Sequence, residues 1–336
     1  MIKVLELFAG IGACSKALEN LGIEYEIVDA VEIDKYVIAA FNVIHGTNFE
    51  PQDITTWDKD IECDLIMHGS PCQDFSIAGL QAGGDEGSGT RSSLMYETLR
   101  IVEKLKPKYM IWENVKNLLS QKHRHNFDAY QEAMSKLGYT NYYQVLNAKD
   151  YGVPQNRERV FTVSILGSDE FKFPPRRPLT RRLKDVLEDD VDEKYYLSDE
   201  QVAGFVRATE KAKAKDNYVV EPSGSGLPIK TANKKGYDMA VDGDGIDLGY
   251  PDSKTRRGRV GHGVCKTLPT SDSQGVLDGF RIRKLTEREC YRLMGFDDAS
   301  FDRASKVISR TQLYKTAGNS IVVNVLQAIL KELLCK

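Results

Sequence analysis

The sequence has no hydrophobic run of the roughly 18 residues that a membrane-spanning helix needs. It also shows no secretory signal, because Glu6 interrupts the first apolar segment and no long hydrophobic stretch follows. Its six cysteines form no CxxC pair, and its five histidines show no metal-ligand spacing. We therefore expect a cytoplasmic protein that uses no membrane, no metal and no disulfide framework.

Strong net charge is also missing, since the 336 residues carry a formal charge of −3. The basic residues are nevertheless clustered. Six lie between Lys172 and Lys184 with no acidic residue among them, and four lie between Lys254 and Arg259. Such clusters indicate either solvated surface or a local face that binds phosphate.

Buried strands alternate with amphipathic helical segments over about the first 165 residues. The predicted strands are Ile2–Phe8, Tyr25–Val31, Leu65–Met67, Tyr109–Trp112 and Val160–Ile165. This alternation predicts an α/β, Rossmann-like fold with a parallel sheet covered by helices on both faces. Ligands then bind outside the carboxyl ends of the strands.

The pattern changes after Phe173, where prolines and then a region rich in glycine, aspartate and serine predict a smaller, loop-rich domain. An apolar stripe from Val322 to Leu333 predicts a final helix that packs on the first sheet. We expect one domain over residues 1–175, completed by 310–336, and a second over 176–309.

The first predicted strand leads into a glycine-rich turn. Phe8-Ala9-Gly10-Ile11-Gly12 precedes a helix, and glycines there let a ligand approach the backbone at the helix N-terminus. Glu32 ends the second strand, where a carboxylate can hold a ribose. Asp53 follows a further helix and could accept a hydrogen bond from an adenine amino group. The pattern indicates either a nucleoside site or a structural turn.

Reactive side chains follow two of the predicted strands and precede a third. Cys72 lies after Pro71 in a polar loop at the exit of Leu65–Met67, where a thiolate could act as a nucleophile. Glu113 ends the next strand and could donate a proton if its pKa is raised. Arg157 and Arg159 lie two apart on an extended segment, so we expect both to point to the same side.

With these motifs in place, the chain resembles the bacterial and phage cytosine-5 DNA methyltransferases. The order and spacing match over nearly the whole chain except about residues 172–281, the stretch where that family holds its variable target-recognition region. The matching motifs are Phe8-x-Gly10-x-Gly12, Pro71-Cys72-Gln73, Glu113-Asn114-Val115, Gln155-x-Arg157-x-Arg159, Arg283-Lys284-Leu285-Thr286 with Met294-Gly295-Phe296, and Gly318-Asn319-Ser320.

The resemblance implies methyl transfer from S-adenosylmethionine to carbon 5 of a cytosine flipped out of double-stranded DNA, leaving S-adenosylhomocysteine. Cys72 would add to carbon 6 of the base, and Glu113 would protonate N3. Arg157 would hold the base and Glu113, with Arg159 assisting. The implied cofactor site comprises Phe8, Gly10, Gly12, Glu32, Ile33, Asp53, Ile54, Pro71, Asn319, Ser320 and Ile321.

The resemblance also directs attention to candidate DNA contacts. Gln73, Ser76 and Arg91 flank the glycine-rich stretch Gly83–Gly89, which would close over DNA. In the recognition region, we expect some of Arg256, Arg257 and Arg259 to contact phosphates and at least one to approach a base edge or the gap left by the flipped cytosine. We expect a monomer encoded by a bacterium or phage; a cognate restriction endonuclease, where one exists, would not be a physical partner.

Three other functions are compatible with parts of the sequence. Methylation of tRNA is typical of a related subfamily with a Cys-Phe-Thr tripeptide and a shorter recognition region, and neither occurs here. A catalytically silent DNA-binding relative would not need every reacting residue. An NAD-dependent oxidoreductase would leave Cys72, Glu113 and the arginine pair without a role. The DNA sequence recognised cannot be read from residues 172–281.

Overall fold

The computed structural model describes residues 1–71, 91–206 and 226–335, and of Arg91 and Ser92 it describes the backbone alone. The first half of the chain contains seven described strands: β1 (Ile2–Leu7), β2 (Tyr25–Val31), β3 (Leu65–His68), β4 (Tyr109–Val115), β5 (Tyr139–Asn147), β6 (Gln155–Asn156) and β7 (Glu158–Leu166). Six of them form one sheet with the strand order β2-β1-β3-β4-β7-β5.

The prediction of an all-parallel sheet is wrong for one strand. β1 to β4 pair in parallel, as expected, but β7 runs antiparallel to both of its neighbours, β4 and β5. Residues 148–157 alone separate β5 from β7, which is too short for the helical crossover that parallel neighbours require. The reversal brings the start of β7 to the carboxyl end of β4.

Helices cover both faces of this sheet, as predicted. Two hydrophobic clusters lie on its opposite sides; α1 and α9 contribute to one, and α3 and α4 to the other. The helices are α1 (Ala13–Leu21), α2 (Lys35–His45), α3 (Met95–Leu105), α4 (Arg124–Lys136), α5 (Asp199–Phe205), α6 (Glu287–Leu293), α7 (Asp298–Ala304), α8 (Arg310–Asn319) and α9 (Val323–Leu334). The apolar stripe of α9 packs on α1, so the chain end returns to the first sheet.

Short strands form the loop-rich part. A four-stranded sheet has the order β11-β10-β13-β14 and a hydrophobic cluster of its own, which includes Phe205, Ile246 and Leu277. The remaining strands are β8 (Leu227–Lys230), β9 (Tyr237–Ala240), β10 (Gly245–Asp247), β11 (Val260–Gly261), β12 (Cys265–Lys266), β13 (Gln274–Asp278) and β14 (Arg281–Lys284).

The packing divides the chain at a different place from the predicted boundary between residues 309 and 310. α6 and α7 precede that boundary, yet Tyr291 and Met294 belong to the same hydrophobic cluster as Leu326 of α9. α7 also packs against α2. Residues 285–308 therefore join the first unit, because their apolar side chains complete its core. In the described ranges, no helix has the length and apolarity to span a membrane.

Candidate active site

The carboxyl ends of β1, β2, β3 and β4 meet at one edge of the sheet. Phe8, Glu32 and Gly69 follow the first three of these strands, and Glu113 lies near the end of β4. Because β7 is reversed, Arg159 pairs with Val115 at this same edge. The sheet topology thus assembles the candidate side chains from segments more than a hundred residues apart.

The turn after β1 depends on left-handed backbone. Phe8, Gly10 and Gly12 have φ values of 52°, 56° and 76°, and α1 begins directly after Gly12. A Cβ atom at Gly12 would lie 2.1 Å from Nε2 of His45. Glycine is therefore required at this position by both conformation and space.

Glu32 holds this turn from the end of β2. Its Oε2 accepts a hydrogen bond from the Gly10 amide at 3.3 Å, and its Oε1 accepts one from the Asp34 amide at 3.0 Å. Burial raises the pKa of the Glu32 carboxyl. The neighbouring Ile33 side chain is 67% exposed, which leaves an apolar surface beside the carboxylate.

Asp53 and Ile54 lie next to the same strand end. The Gln52 amide donates a hydrogen bond to the Glu32 carbonyl at 2.9 Å. This bond brings Asp53, the next residue, close to Glu32 in space. Asp53 is exposed, and its Oδ1 accepts from the Thr55 amide at 2.9 Å. Ile54 is buried.

A cavity at this edge of the sheet is lined by residues from near the start and near the end of the chain. Phe8 and Gly10 line one side, and Asn319, Ser320 and Ile321 line the other. The remaining lining residues are Glu6, Leu7, Ala9, Ala13, Cys14, Met67 and Gly69. Five of the residues predicted to bind the cofactor therefore share one cavity.

Glu6 is a cavity residue that the sequence reasoning missed. Its Oε1 accepts hydrogen bonds from the Ser15 amide at 3.0 Å and from the Ser15 hydroxyl, and burial raises the pKa of its carboxyl to about 7. The available signal was an acidic residue within the apolar run from Val4 to Leu7 of the first strand. Burial also raises the pKa of the adjacent Cys14 thiol, so that thiol stays protonated.

Glu113 and Arg159 form the charged pair of the site. Arg159 Nε lies 3.0 Å from Glu113 Oε1, and both side chains are largely buried. Burial raises the pKa of the Glu113 carboxyl, and the positive charges of Arg159 and Arg157 partly oppose that rise. The carboxyl thus keeps a proton at higher pH than an exposed glutamate, which suits a proton donor.

Arg157 differs from the expectation that it holds the base and Glu113. Its guanidinium is buried and donates to three backbone carbonyls: Leu268 at 3.3 Å, Gly318 at 3.1 Å and Ser320 at 2.9 Å. Arg159 makes the close contact with Glu113 instead. Arg157 lies between β6 and β7, and its positive charge also acts on the Glu113 carboxyl.

Gln155 binds the backbone of Leu268, as Arg157 does. Its Oε1 accepts from the Leu268 amide at 3.1 Å, so Gln155 and Arg157 hold both polar groups of that residue. β6 also pairs in parallel with β12. The segment around Leu268 is thereby fixed against the Gly318–Ser320 wall of the cavity.

Ser70 anchors the chain where it leaves β3. Its hydroxyl accepts hydrogen bonds from Trp112 Nε1 at 3.1 Å and from Asn114 Nδ2 at 3.3 Å. Pro71 follows, and Cys72, Gln73, Ser76 and Gly83–Gly89 lie outside the described residues. Arg91 begins a short 3-10 helix that precedes α3, and its side chain also lies outside the description.

The three recognition-region arginines have different surroundings. Arg257 is exposed, whereas Arg256 is half-buried and pairs with Asp247 at 2.6 Å. Arg259 is 1% exposed and donates to the carbonyls of Asp247, Gly249 and Tyr250. The expectation of a DNA contact does not fit Arg259, because its guanidinium is buried and hydrogen-bonded inside the protein.

The fold and the site define an α/β protein with a ligand cavity and an acid–arginine pair at one sheet edge. The model of the C-5 cytosine-specific DNA methylase family matches residues 2–335. The chain therefore belongs to that family and is a DNA (cytosine-5-)-methyltransferase.

Curated relatives extend over the whole chain. It is 35% identical to the type II methyltransferase M2.ScrFI of Lactococcus lactis subsp. cremoris, covering 99% of both chains. It is 31% identical to the orphan methyltransferase M.SPRI of Bacillus phage SPR, covering 99% of this chain and 97% of the relative.

Solved structures share the fold at low identity. The Dnmt2 methyltransferase of S. pombe has a TM-score of 0.65 and 19% identity, covering 99% of this chain and 98% of that one. The Entamoeba histolytica methyltransferase EhMeth has a TM-score of 0.66 and 16% identity, covering 100% and 98%.

Proposed function

We propose that this methyltransferase transfers a methyl group from S-adenosylmethionine to carbon 5 of a cytosine extruded from a specific double-stranded DNA sequence, through a covalent Cys72 adduct. The observation that most directly supports this proposal is the buried Glu113–Arg159 pair. The pair lies near the end of β3, from which the chain continues through Ser70 and Pro71 to Cys72. A carboxyl with a raised pKa next to a cysteine-bearing loop suits acid-assisted nucleophilic addition.

The residues in and around the cavity suit a sulfonium ligand that carries a nucleoside. Backbone at Gly10 and Gly12 permits close approach, and the Glu32 carboxylate and exposed Ile33 suit a ribose and a flat base. Asp53 is exposed beside Glu32, where it suits the adenine amino group. We assign Phe8 to the wall against the adenine. The walls around the methionine part would be formed by Gly69, Asn319, Ser320 and Ile321.

Cys72 and Glu113 would act together on the base. The cytosine must leave the duplex before a side chain can reach carbon 6. The Cys72 thiolate forms the S–C6 bond while the Glu113 proton moves to N3, and the electron pair of the C5–C6 bond becomes available at carbon 5. Arg159 holds the Glu113 carboxyl in place and stabilises the carboxylate that proton transfer leaves.

S-adenosylmethionine would supply an electrophilic methyl group, which carbon 5 takes as the neutral thioether S-adenosylhomocysteine leaves. Loss of the C5 proton to a base then restores the C5–C6 double bond. The same electron pair expels the Cys72 thiolate, and N3 returns its proton. The net change is one methyl group gained and one proton released.

We assign DNA contacts to the exposed basic residues near the site. Arg256 and Arg257 line a surface cleft with Asn156, Lys266 and Thr267, adjacent to the Gln155–Arg159 segment. Gln73, Ser76 and Arg91 remain proposed contacts from the family resemblance. We propose that a monomer acts on DNA in the cytoplasm of a bacterial cell.

Methyl transfer tests this function directly. Purified protein and S-adenosylmethionine are incubated with PCR-amplified, unmethylated DNA, followed by bisulfite sequencing. We expect C5 methylation at one short sequence and none with Cys72→Ser, which retains cofactor affinity because Cys72 supplies chemistry and not the pocket. Cys335→Ser is the matched control and should stay active, because Cys335 is exposed and is not among the residues that line the cavity. Robust turnover by Cys72→Ser would refute the covalent route.

A further inference from the structure

Arg259 organises the loop that follows β10. From its buried position it donates hydrogen bonds to the carbonyls of Asp247 at 3.0 Å, Gly249 at 2.8 Å and Tyr250 at 2.5 Å. A buried guanidinium that collects three carbonyls fixes the path of the backbone between them. Arg259 therefore fixes the backbone conformation of the loop Asp247–Tyr250.

Tyr250 stands at the end of this loop in an unfavourable conformation. Its φ of 53° lies in the left-handed region, which bulky residues rarely adopt. Its side chain is 74% exposed. The loop thus holds a strained backbone that gains no burial for the aromatic ring, and backbone strain of this kind is typical of functional positions.

The ring lies beside the basic cleft. The Arg256 guanidinium is 5.3 Å from the centre of the Tyr250 ring, and it is fixed there by its ion pair with Asp247. Asp247 and Arg256 both line the cleft, together with Arg257 and Lys266. Asn156 lines it as well and connects it to the Arg157–Arg159 segment of the active site.

We propose that Tyr250 contacts DNA by stacking its ring on a base of the recognised sequence, and that Arg259 is the positioning residue that presents it. The inference rests on the proposed function. Phosphates would neutralise the cations of the cleft, and extrusion of the target cytosine would open a face of a neighbouring base to a rigidly held aromatic ring. Stacking on an aromatic side chain is open to any base, so Tyr250 adds affinity.

Tyr250→Gly tests the stacking contact, because glycine adopts the left-handed backbone without strain. The probe is a fluorescent duplex carrying the sequence found by bisulfite sequencing, with S-adenosylhomocysteine present. We expect DNA affinity to fall roughly 5- to 100-fold, in line with the loss of one aromatic stack. Tm should be unchanged or slightly raised, whereas a purely structural ring would lower it. Tyr250→Phe should bind like wild type.

Arg259→Lys and Phe280→Ala complete the test. Lysine cannot hold three carbonyls, so Arg259→Lys should weaken DNA binding, and combining it with Tyr250→Gly should weaken it little further. Phe280 is 68% exposed at the turn after β13, and Phe280→Ala should bind normally.

Wild-type affinity in Tyr250→Gly, or an equal loss in Phe280→Ala, would overturn the assignment of Tyr250. The proposed function fails separately, if the wild-type protein methylates no cytosine. In that case the affinities of wild type and Tyr250→Gly for the PCR-amplified duplex still decide whether the ring makes a contact.

Discussion

Arginines at the sheet edge and arginines in the recognition region show the same division of labour. At the edge, Arg159 contacts the Glu113 carboxyl while Arg157, two residues earlier, is bound to backbone carbonyls. In the recognition region, Arg257 is exposed while Arg259, again two residues away, is bound to backbone carbonyls. Each pair combines one side chain directed to the ligand side with one that shapes the backbone.

The difference between the regions lies in what surrounds each pair. The edge arginines are largely buried beside the sheet, where burial raises the pKa of Glu113. The recognition arginines lie on short strands and loops beside an open cleft. Loss of the edge pair should therefore change chemistry and stability, whereas loss of an exposed recognition arginine should change DNA binding.

The largest effect is expected at Glu113. Glu113→Gln removes the transferable proton and should lower the methylation rate by about 10²- to 10⁴-fold while DNA binding persists. The wild-type rate should fall as pH rises through the raised pKa of Glu113, and the residual rate of the variant should lack that fall. Single-turnover rates across pH measure both. Glu158→Gln, an exposed neighbour, is the control; equal rates for Glu113→Gln and wild type would remove Glu113 as the acid.

Arg157 and Arg159 should separate stability from catalysis. Arg157→Lys loses buried hydrogen bonds to carbonyls and should lower the free energy of unfolding by about 3–4 kcal/mol. Arg159→Lys keeps the positive charge beside the buried Glu113 carboxyl, so it should lower stability less than Arg157→Lys does while lowering kcat. Urea unfolding and turnover assays on both variants test this contrast. The reverse pattern would restore the expectation that Arg157 acts on the base.

Arg259 and Arg257 offer the same contrast in the recognition region. Arg259→Ala leaves three carbonyls without their donor and should destabilise the protein by about 2–3 kcal/mol. Arg257→Ala should leave stability unchanged and flatten the salt dependence of DNA binding by about one unit of slope. Affinity measured across salt concentrations and site variants distinguishes phosphate from base contacts. Normal binding by Arg257→Ala would move recognition elsewhere in residues 172–281.

Glu6 should give the smallest effect. Its pKa is raised to about 7 by burial, so the folded state holds its proton more tightly than the unfolded state does. The stabilisation is complete below the unfolded pKa and is lost as pH rises through about 7; between pH 5 and 7 the loss is about 2 kcal/mol. Glu6→Gln keeps the acceptor for Ser15 and should remove this part of the pH dependence. Unfolding curves of both proteins at the two pH values, without cofactor, give the change in the free energy of unfolding. The same change in wild type and Glu6→Gln would contradict the assignment.

The sequence predicted most of the sheet edge because each motif there follows a strand end. Phe8, Glu32 and Glu113 lie where the strand pattern implied. The reversal of β7 was missed because a buried strand has the same composition in either direction. The domain boundary at residue 310 stays a prediction; composition did not indicate that Tyr291 and Met294 would pack with Leu326.

The distinction within each arginine pair could not be read from the sequence. Arg157 and Arg259 became backbone ligands only through carbonyls of distant or folded segments, such as Ser320 and Gly249. Motif spacing carries no information about those partners. The buried role of Glu6 likewise depends on its hydrogen bonds with Ser15 across the turn.

The most direct test of the central claim is covalent trapping on DNA that contains 5-fluorocytosine at the target position. Fluorine cannot leave carbon 5 as a cation, so the Cys72 adduct should persist after methyl transfer. With S-adenosylmethionine present, we expect a shifted protein–DNA band on a denaturing gel for wild type and none for Cys72→Ser. The absence of that band, in a preparation that methylates the unfluorinated sequence, would contradict addition by Cys72.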